Sequence, residues 1–398
     1  MKEGWTYKKL GEVCCKSSNI KWDDVSNDAS YKYIDLTSVY RTDLRIHDPQ
    51  IITKENAPSR AKQIVKVGDV IFATTRPTLR RVSLIDDKHD GALCSTGFCI
   101  LRPNTEISSK WIFYCLQNNG FYNYIEPLQT GASYPAVTDG IVKGYVIPVP
   151  PLDEQKRIVE RLDAAFENID KLKANAEKQL AEAQTLFQKS LAKAMEPKEG
   201  WEERNLGDVA AIFSGYAFKS SVFQKEGKYQ VLRIGNIKQN NLRLSDNAVF
   251  IDDLDSGVLN KSLLKEGDLV VTQTGTRHKR DYGFVAMVEK DNLLLNQRNA
   301  CVRFRNKLSA QFFLYYSYTD LYKDSFFANE GGTVGQGNVG LSALKEMKYY
   351  TPPLDEQQRI VERLDALSEN IRKYEEIQRQ IISECDALKQ ALLRKVFE

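Results

Sequence analysis

Pro150-Pro-Leu-Asp-Glu-Gln-Lys-Arg-Ile-Val-Glu-Arg-Leu-Asp163 recurs almost letter for letter as Pro352-Pro-Leu-Asp-Glu-Gln-Gln-Arg-Ile-Val-Glu-Arg-Leu-Asp365. The offset is 202 residues, and a fixed internal offset means that one structural unit has been used twice. A second pair of anchors lies upstream of each copy. Lys2-Glu3-Gly4-Trp5 with Leu10-Gly11-Glu12-Val13 returns as Lys198-Glu199-Gly200-Trp201 with Leu206-Gly207-Asp208-Val209. Between the anchors the halves diverge. Even there, Val67-Gly68-Asp69-Val70-Ile71 answers Glu266-Gly267-Asp268-Leu269-Val270, and Cys99-Ile100-Leu101 answers Cys301-Val302-Arg303. The order along the chain is variable, constant, variable, constant, with segments 1–150, 151–198, 199–351 and 352–398.

Each constant segment reads as a long helix. After each Pro-Pro there is neither Gly nor Pro from Asp153 to Glu196, or from Asp355 to Glu398, which suits uninterrupted helix. Apolar residues recur at 158, 162, 165, 169, 172 and 176, and at 360, 364, 367, 371, 374, 377 or 378, 381, 385, 388 and 392. Alternating steps of three and four describe a narrow coiled-coil seam. A helix over 153–195 would span roughly 65 Å at 1.5 Å per residue, the length of a strut. The sequence before Pro197 leads into the second Lys-Glu-Gly-Trp, and Arg394 to Glu398 would lead into the first if the ends were joined. A cyclic pseudo-twofold arrangement follows, in which the two helices lie antiparallel.

The polar positions of the repeat, including Gln155 and Asp163, read as outward-facing. Their duplication points to two equivalent copies of a partner, with Asp153, Glu154, Arg157 and Arg161 on one helix and Asp355, Glu356, Arg359 and Arg363 on the other as contacts. The plainer alternative is that each helix merely packs on its own domain.

The variable segments mix β-rich runs (31–36, 65–74, 98–101; 231–234, 268–272, 300–304) with helix-like aromatic stretches at 110–117 and 310–318. The fold class is therefore α+β, two mixed α/β domains alternating with two long helices that form an antiparallel coiled coil. A basic loop follows the Gly-Asp strand in both halves: Thr74-Thr-Arg-Pro-Thr-Leu-Arg-Arg81 and Thr272-Gln-Thr-Gly-Thr-Arg-His-Lys-Arg280. Arg or Lys among Thr, Gln and Gly can neutralise phosphates and offer paired donors to guanine. The candidate DNA contacts are Arg76, Thr78, Arg80 and Arg81, with Thr276, Arg277, Lys279 and Arg280 in the second half. Later polar loops, Gln129 to Tyr134 and Asn329 to Asn338, add Ser133 and Tyr134. A solvated basic turn and a flexible connector are the alternatives.

The 398 residues carry 56 Lys and Arg against 53 Asp and Glu, with 42% hydrophobic residues. That is an ordinary multidomain globular composition, and the small net charge leaves nucleic-acid binding to the distribution of basic groups. No apolar run approaches the ~20 residues of a membrane span, and the start lacks a secretory h-region. Seven cysteines contain no C-x-x-C pair. Reduced thiols in a cytoplasmic protein are the expectation. Three histidines (47, 89, 278) give no zinc pattern. There is no G-x-x-x-x-G-K-[ST] loop, and Gly331, Gly332, Gly335 and Gly337 lack the strand and helix of a dinucleotide fingerprint. No Pro-Asp nuclease motif, no Asn-Pro-Pro-aromatic motif and no catalytic triad are found, so neither catalysis nor a bound metal is expected.

This organisation resembles the specificity subunit of a type I restriction-modification system, over the whole chain. The resemblance rests on the doubled Pro-Pro-Leu-Asp-Glu-Gln helix openings at 150–155 and 352–357 and the Gly-Asp strands at 68–69 and 267–268. It implies two target recognition domains, each reading half of a split site in double-stranded DNA. It also implies helices that set the spacing and hold two modification subunits for adenine N6 methylation. Restriction subunits would join the full complex. S-adenosylmethionine, ATP and Mg would then be bound by those partners and none by this chain. A coiled-coil adaptor with two protein-binding domains is the alternative.

Overall fold

A computed structural model describes residues 4–333 and 335–398. Lys2, Glu3 and Val334 of the segments quoted above lie outside the described residues. Contacts divide the chain into two compact units, Met1–Lys178 with Gln378–Glu398, and Gln179–Ile377. Each unit therefore contains one mixed domain together with a part of each long helix.

In the first unit a four-stranded antiparallel sheet runs in the order Cys14–Cys15, Phe98–Pro103, Val70–Ala73, Val82–Leu84. The second unit builds the same sheet from Ala210–Ser214, Asn299–Phe304, Leu269–Thr272 and Val285–Met287. Each unit also has a second sheet containing a parallel pair, five-stranded in the first unit with Tyr33 and Ile34 beside Leu93 and Cys94, and three-stranded in the second with Val231 and Leu232 beside Leu294 and Leu295. The segment after each Trp pairs with the strand before each Pro-Pro: Thr6–Lys9 with Val146–Val149, and Glu202–Asn205 with Lys348–Thr351.

The Gly-Asp signature is a fold element. Gly68 and Gly267 take φ of +85° and +87°, which glycine tolerates and other residues resist. Of the run expected as one strand over 65–74, only Val70–Ala73 is strand; the turn separates it from the preceding strand, Ala61–Ile64. The carboxylate that follows is buried and gripped by an arginine fork. Arg102 donates to Asp69 at 2.8 and 2.7 Å, and Arg303 to Asp268 at 2.6 and 2.6 Å. The same carboxylates accept the Lys66 and Lys265 backbone N–H groups, closing the turn. Each aspartate pushes its arginine's pKa upward through hydrogen bonding.

The aromatic stretches are helices, Ser109–Cys115 and Lys307–Tyr316, each capped by a side chain, Ser108 or Asn306, that accepts a backbone N–H. A second short helix follows in each unit, Asn119–Ile125 and Asp320–Phe327.

The long helices are Leu152–Ala194 and Leu354–Phe397. The antiparallel pairing expected from the repeat is met inside each unit. In the first, Lys173 bonds Asp386 at 2.7 Å and Lys389 bonds Asp170; in the second, Tyr374 donates to Gln179 at 2.9 Å. The cyclic equivalence is met as well. Leu393 and Phe397 lie in the core of the first unit with Trp5 and Trp111. Leu191 and Met195, their counterparts at the same offset, lie in the core of the second with Phe312, against which Trp201 packs edge-on.

Two expectations for the helices are corrected. Leu172, Tyr374 and Leu388, read as seam residues, are 52%, 39% and 50% exposed, while Val159, Phe166, Val361 and Gln378 are buried. A straight helix drifts by about 20° per heptad from a 3.5-residue repeat, and the first turns turn a broader face onto their own domain. Gln155 and Gln357, read as outward, are buried at 0% and 4%. The Gln155 amide donates to the Pro150 and Glu106 carbonyls and accepts the Ser108 N–H. Gln357 donates to the Pro352 carbonyl and accepts the Ser309 hydroxyl. Asp163 and Asp365 likewise accept hydroxyls of their own domains, from Tyr114 at 2.6 Å and Tyr315 at 2.5 Å. Near-identity of the repeat is thus partly the requirement of locking each helix to its domain.

Candidate nucleic-acid interface

In each unit the basic loop and the later glycine-bearing loop lie on one another. In the first, Thr75 bridges Ala136, the Arg76 N–H donates to the Pro135 carbonyl at 2.6 Å, and Thr130 pairs with Ala136. In the second, Thr274–Thr276 forms an antiparallel ladder with Gln336–Asn338, and Gly331 pairs with Asn338. The glycine-rich segment is thus the return strand of a hairpin-like platform.

Arg76 is exposed, with φ of +49°. Its guanidinium lies 4.7 Å from the centroid of the Tyr134 ring and 3.5 Å from the Ser133 carbonyl. Tyr134 is itself 68% exposed, so a cation and an aromatic face are presented together. Thr78 is exposed, on the single turn Pro77–Leu79. Arg80 takes φ of +56°, and its guanidinium sits 4.2 Å over the buried Tyr122 ring. Arg81 is half-buried, its Nε without solvent exposure. Arg81 is therefore drawn toward its own domain, whereas Arg80 is exposed with its guanidinium resting on a ring of that domain.

The second platform repeats this with different backing. Thr276 is tied down: its N–H and hydroxyl both go to Asp281, at 2.6 and 3.2 Å. The N–H bond from Thr276, with other hydrogen bonds, holds the Asp281 carboxyl below the usual range. Arg280, at φ of +46°, lies 4.7 Å over the Phe327 ring, the counterpart of Arg80 on Tyr122. Lys279 is exposed. Arg277 is exposed, with Nε 3.4 Å from a Glu330 carboxylate oxygen. Tyr134, read as a DNA contact, also backs Arg76, whereas Glu330 and Tyr282 are partners that the sequence did not single out. Glu330 stands roughly 50 residues from the arginine it backs, and no local pattern marks either residue.

On the long helices, Asp153, Arg157 and Arg161 are exposed, as are Asp355, Arg359 and Arg363. Asp355 and Arg359 pair with each other at 3.1 Å. Glu154 accepts the Trp5 indole N–H at 3.1 Å, and Glu356 lies 3.8 Å from Lys198, so both glutamates partly serve their own domains. Exposed apolar side chains recur at the same offset. The first unit exposes Leu152, Leu172 and Leu388, and the second exposes Leu354, Tyr374 and Leu186. Isolated exposed leucines are ordinary on a protein surface; their recurrence at equivalent positions is the informative feature.

Among the described residues, no group of three or more His, Cys, Asp or Glu is placed to hold a metal ion, and no helix is long and apolar enough to cross a membrane.

The family model for the type I restriction modification DNA specificity domain matches twice, over residues 2–182 and 198–382. The chain is 24% identical over 380 residues to the type I restriction enzyme EcoKI specificity subunit of Escherichia coli K12, covering 89% of this chain and 78% of that one. It is 26% identical over 336 residues to the StySPI specificity subunit of Salmonella potsdam, covering 76% and 68%. Among solved structures, it is similar to a chain described under complex assembly and conformational transition of the type I R-M system. There the TM-score is 0.84 at 26% identity, over 99% of this chain and 97% of that one. The HsdS subunit from Thermoanaerobacter tengcongensis gives a TM-score of 0.63 at 28% identity, over 100% and 97%. With both halves matched by one family model, the chain belongs to the type I restriction-modification DNA specificity family, as a specificity subunit carrying two DNA recognition domains.

Proposed function

We propose that each recognition domain reads one half of a bipartite double-stranded DNA site through its paired-loop platform. The observation that carries this reading is the recurrence, in two otherwise divergent domains, of one loop-on-loop scaffold whose basic loop presents an exposed arginine, Arg76 in the first and Arg277, two residues further along, in the second. An arginine fork can bond guanine O6 and N7 in the major groove, while neighbouring cations such as Lys279 neutralise phosphates and fix register. The long helices set the separation of the half-sites and seat two modification subunits, which methylate adenine N6 with S-adenosylmethionine. The duplicated exposed residues, Asp153, Arg157 and Arg161 on one helix and Asp355, Arg359 and Arg363 on the other, with the apolar sets above, supply two equivalent seats. Restriction subunits using ATP and Mg complete the assembly in the cytoplasm. This chain recognises and performs no chemistry of its own.

Exchanging residues 1–150 for another recognition domain tests the reading. One half of the methylated sequence changes and the other stays; a change in both halves would end the modular account.

A further inference from the structure

The exposed arginines Arg76 and Arg277 differ in what stands behind them. Arg76 leans on an exposed ring, whereas Arg277 meets a chain of polar groups that leads into the core. Tyr282, only 2% exposed, donates its hydroxyl to Glu330 Oε1, and Glu330 Oε2 faces Arg277 Nε. The Tyr282 ring is fixed edge-on by Phe326 and Phe327. Gly337 passes so close to the Tyr282 hydroxyl and the Glu330 carboxylate that a Cβ there would collide with both. Glu330 is 11% exposed, so its carboxylate is held among protein groups with one oxygen committed to Tyr282. Burial and the bond to Glu330 hold the Tyr282 hydroxyl protonated, its pKa raised.

An arginine held through Nε has its two terminal nitrogens directed away from the clamp. Those two nitrogens form the fork that matches O6 and N7 of guanine. A buried carboxylate behind the fork also cancels much of the charge that would otherwise attract any phosphate. Thus, resting on the reading proposed above, we infer that Glu330, set by Tyr282, is the positioning residue that makes Arg277 a guanine-selective reader in the second half-site.

The test uses the complete methyltransferase complex carrying Glu330→Gln, Tyr282→Phe or Arg277→Ala. It measures the methylated-sequence spectrum together with binding to matched and unrelated duplexes across salt concentrations. Glu330→Gln lowers discrimination for guanine at one position of the second half-site by about tenfold or more. Because a negative charge is removed, its affinity for unrelated duplex stays level or rises. Tyr282→Phe gives a smaller loss at the same position, and Arg277→Ala abolishes the preference there. If Glu330 merely supported the fold, binding to matched and unrelated DNA would fall together, which would overturn the inference. An unchanged spectrum with Glu330→Gln, in a complex that still binds DNA in a salt-dependent way, would also overturn it while leaving half-site reading intact. A wild-type complex showing no salt-dependent DNA binding would instead overturn the underlying reading.

Discussion

Phe397 packs edge-on against Trp111, with ring centroids 4.8 Å apart. Both rings are buried in the core of the first unit, although 286 residues separate them in sequence order, the difference between 397 and 111. The second unit fills the equivalent place with Met195. A recognition domain in this protein is therefore completed by the far end of the long helix that precedes it in cyclic order. Phe397→Ala should remove ~3–5 kcal/mol from the first unit, and Met195→Ala ~2–5 kcal/mol from the second. Hydrogen exchange resolved by segment should show lost protection around 111–122 for the former and around 312–322 for the latter.

The buried amides of Gln155 and Gln357 should behave as a matched pair. Gln155→Ala leaves the Ser108 N–H and two carbonyls without their partner, a cost of about 1–3 kcal/mol for each buried group left unpaired. Denaturant unfolding should show a loss for either variant, and the double variant should lose close to the sum, because the two amides serve different cores.

Leu172→Glu with Leu388→Glu alters exposed side chains of the first unit only, so its stability should change by no more than about 0.5 kcal/mol per site. Native mass spectrometry of the complex should show one modification subunit where the parent shows two. The counterpart pair, Leu186→Glu with Tyr374→Glu, should do the same, and all four together should leave none.

The thiols should be separable by rate. Cys15 is exposed, Cys14 is half-buried with burial pushing its thiol up to about 12, and Cys94, Cys99, Cys115, Cys301 and Cys385 are buried. A raised pKa keeps the unreactive thiol form well above neutral pH, so Cys14 stays slow at pH 8. A disulfide reagent at that pH should titrate one fast thiol in the folded chain and all seven after denaturation.

Arg76→Ala should cost ~1–3 kcal/mol in specific binding and relax a single base position of the first half-site. Lys279→Ala should weaken matched and unrelated duplexes alike and reduce the salt slope by about one.

Much of the fold was legible because two identical helix openings cannot arise without two equivalent structural places, and because Gly-Pro-free runs with three-and-four spacing specify long helices. The misreadings have two causes. Gln155 and Asp163 sit among charged residues, so composition marks them as solvated, yet their places on the helix turn them into the domain, where Ser108 and Tyr114 need partners. An uncharged Gln kept in both copies within a charged run was the available clue. Leu172 and Leu388 fit a heptad on paper, but the real helical period carries them out of the interface. The basic loops were legible from composition. What holds their arginines, Tyr134 and Glu330, comes from chain-distant loops and emerges only from topology.

The central claim is that two independent readers on a fixed helical frame specify one split DNA site. Methylation-sensitive sequencing of host DNA, with and without this gene, tests it most directly. The account predicts methylated adenines in a single motif of two short specified blocks separated by a constant unspecified gap. Gene-dependent methylation of one continuous motif, or of blocks at variable separation, would contradict it.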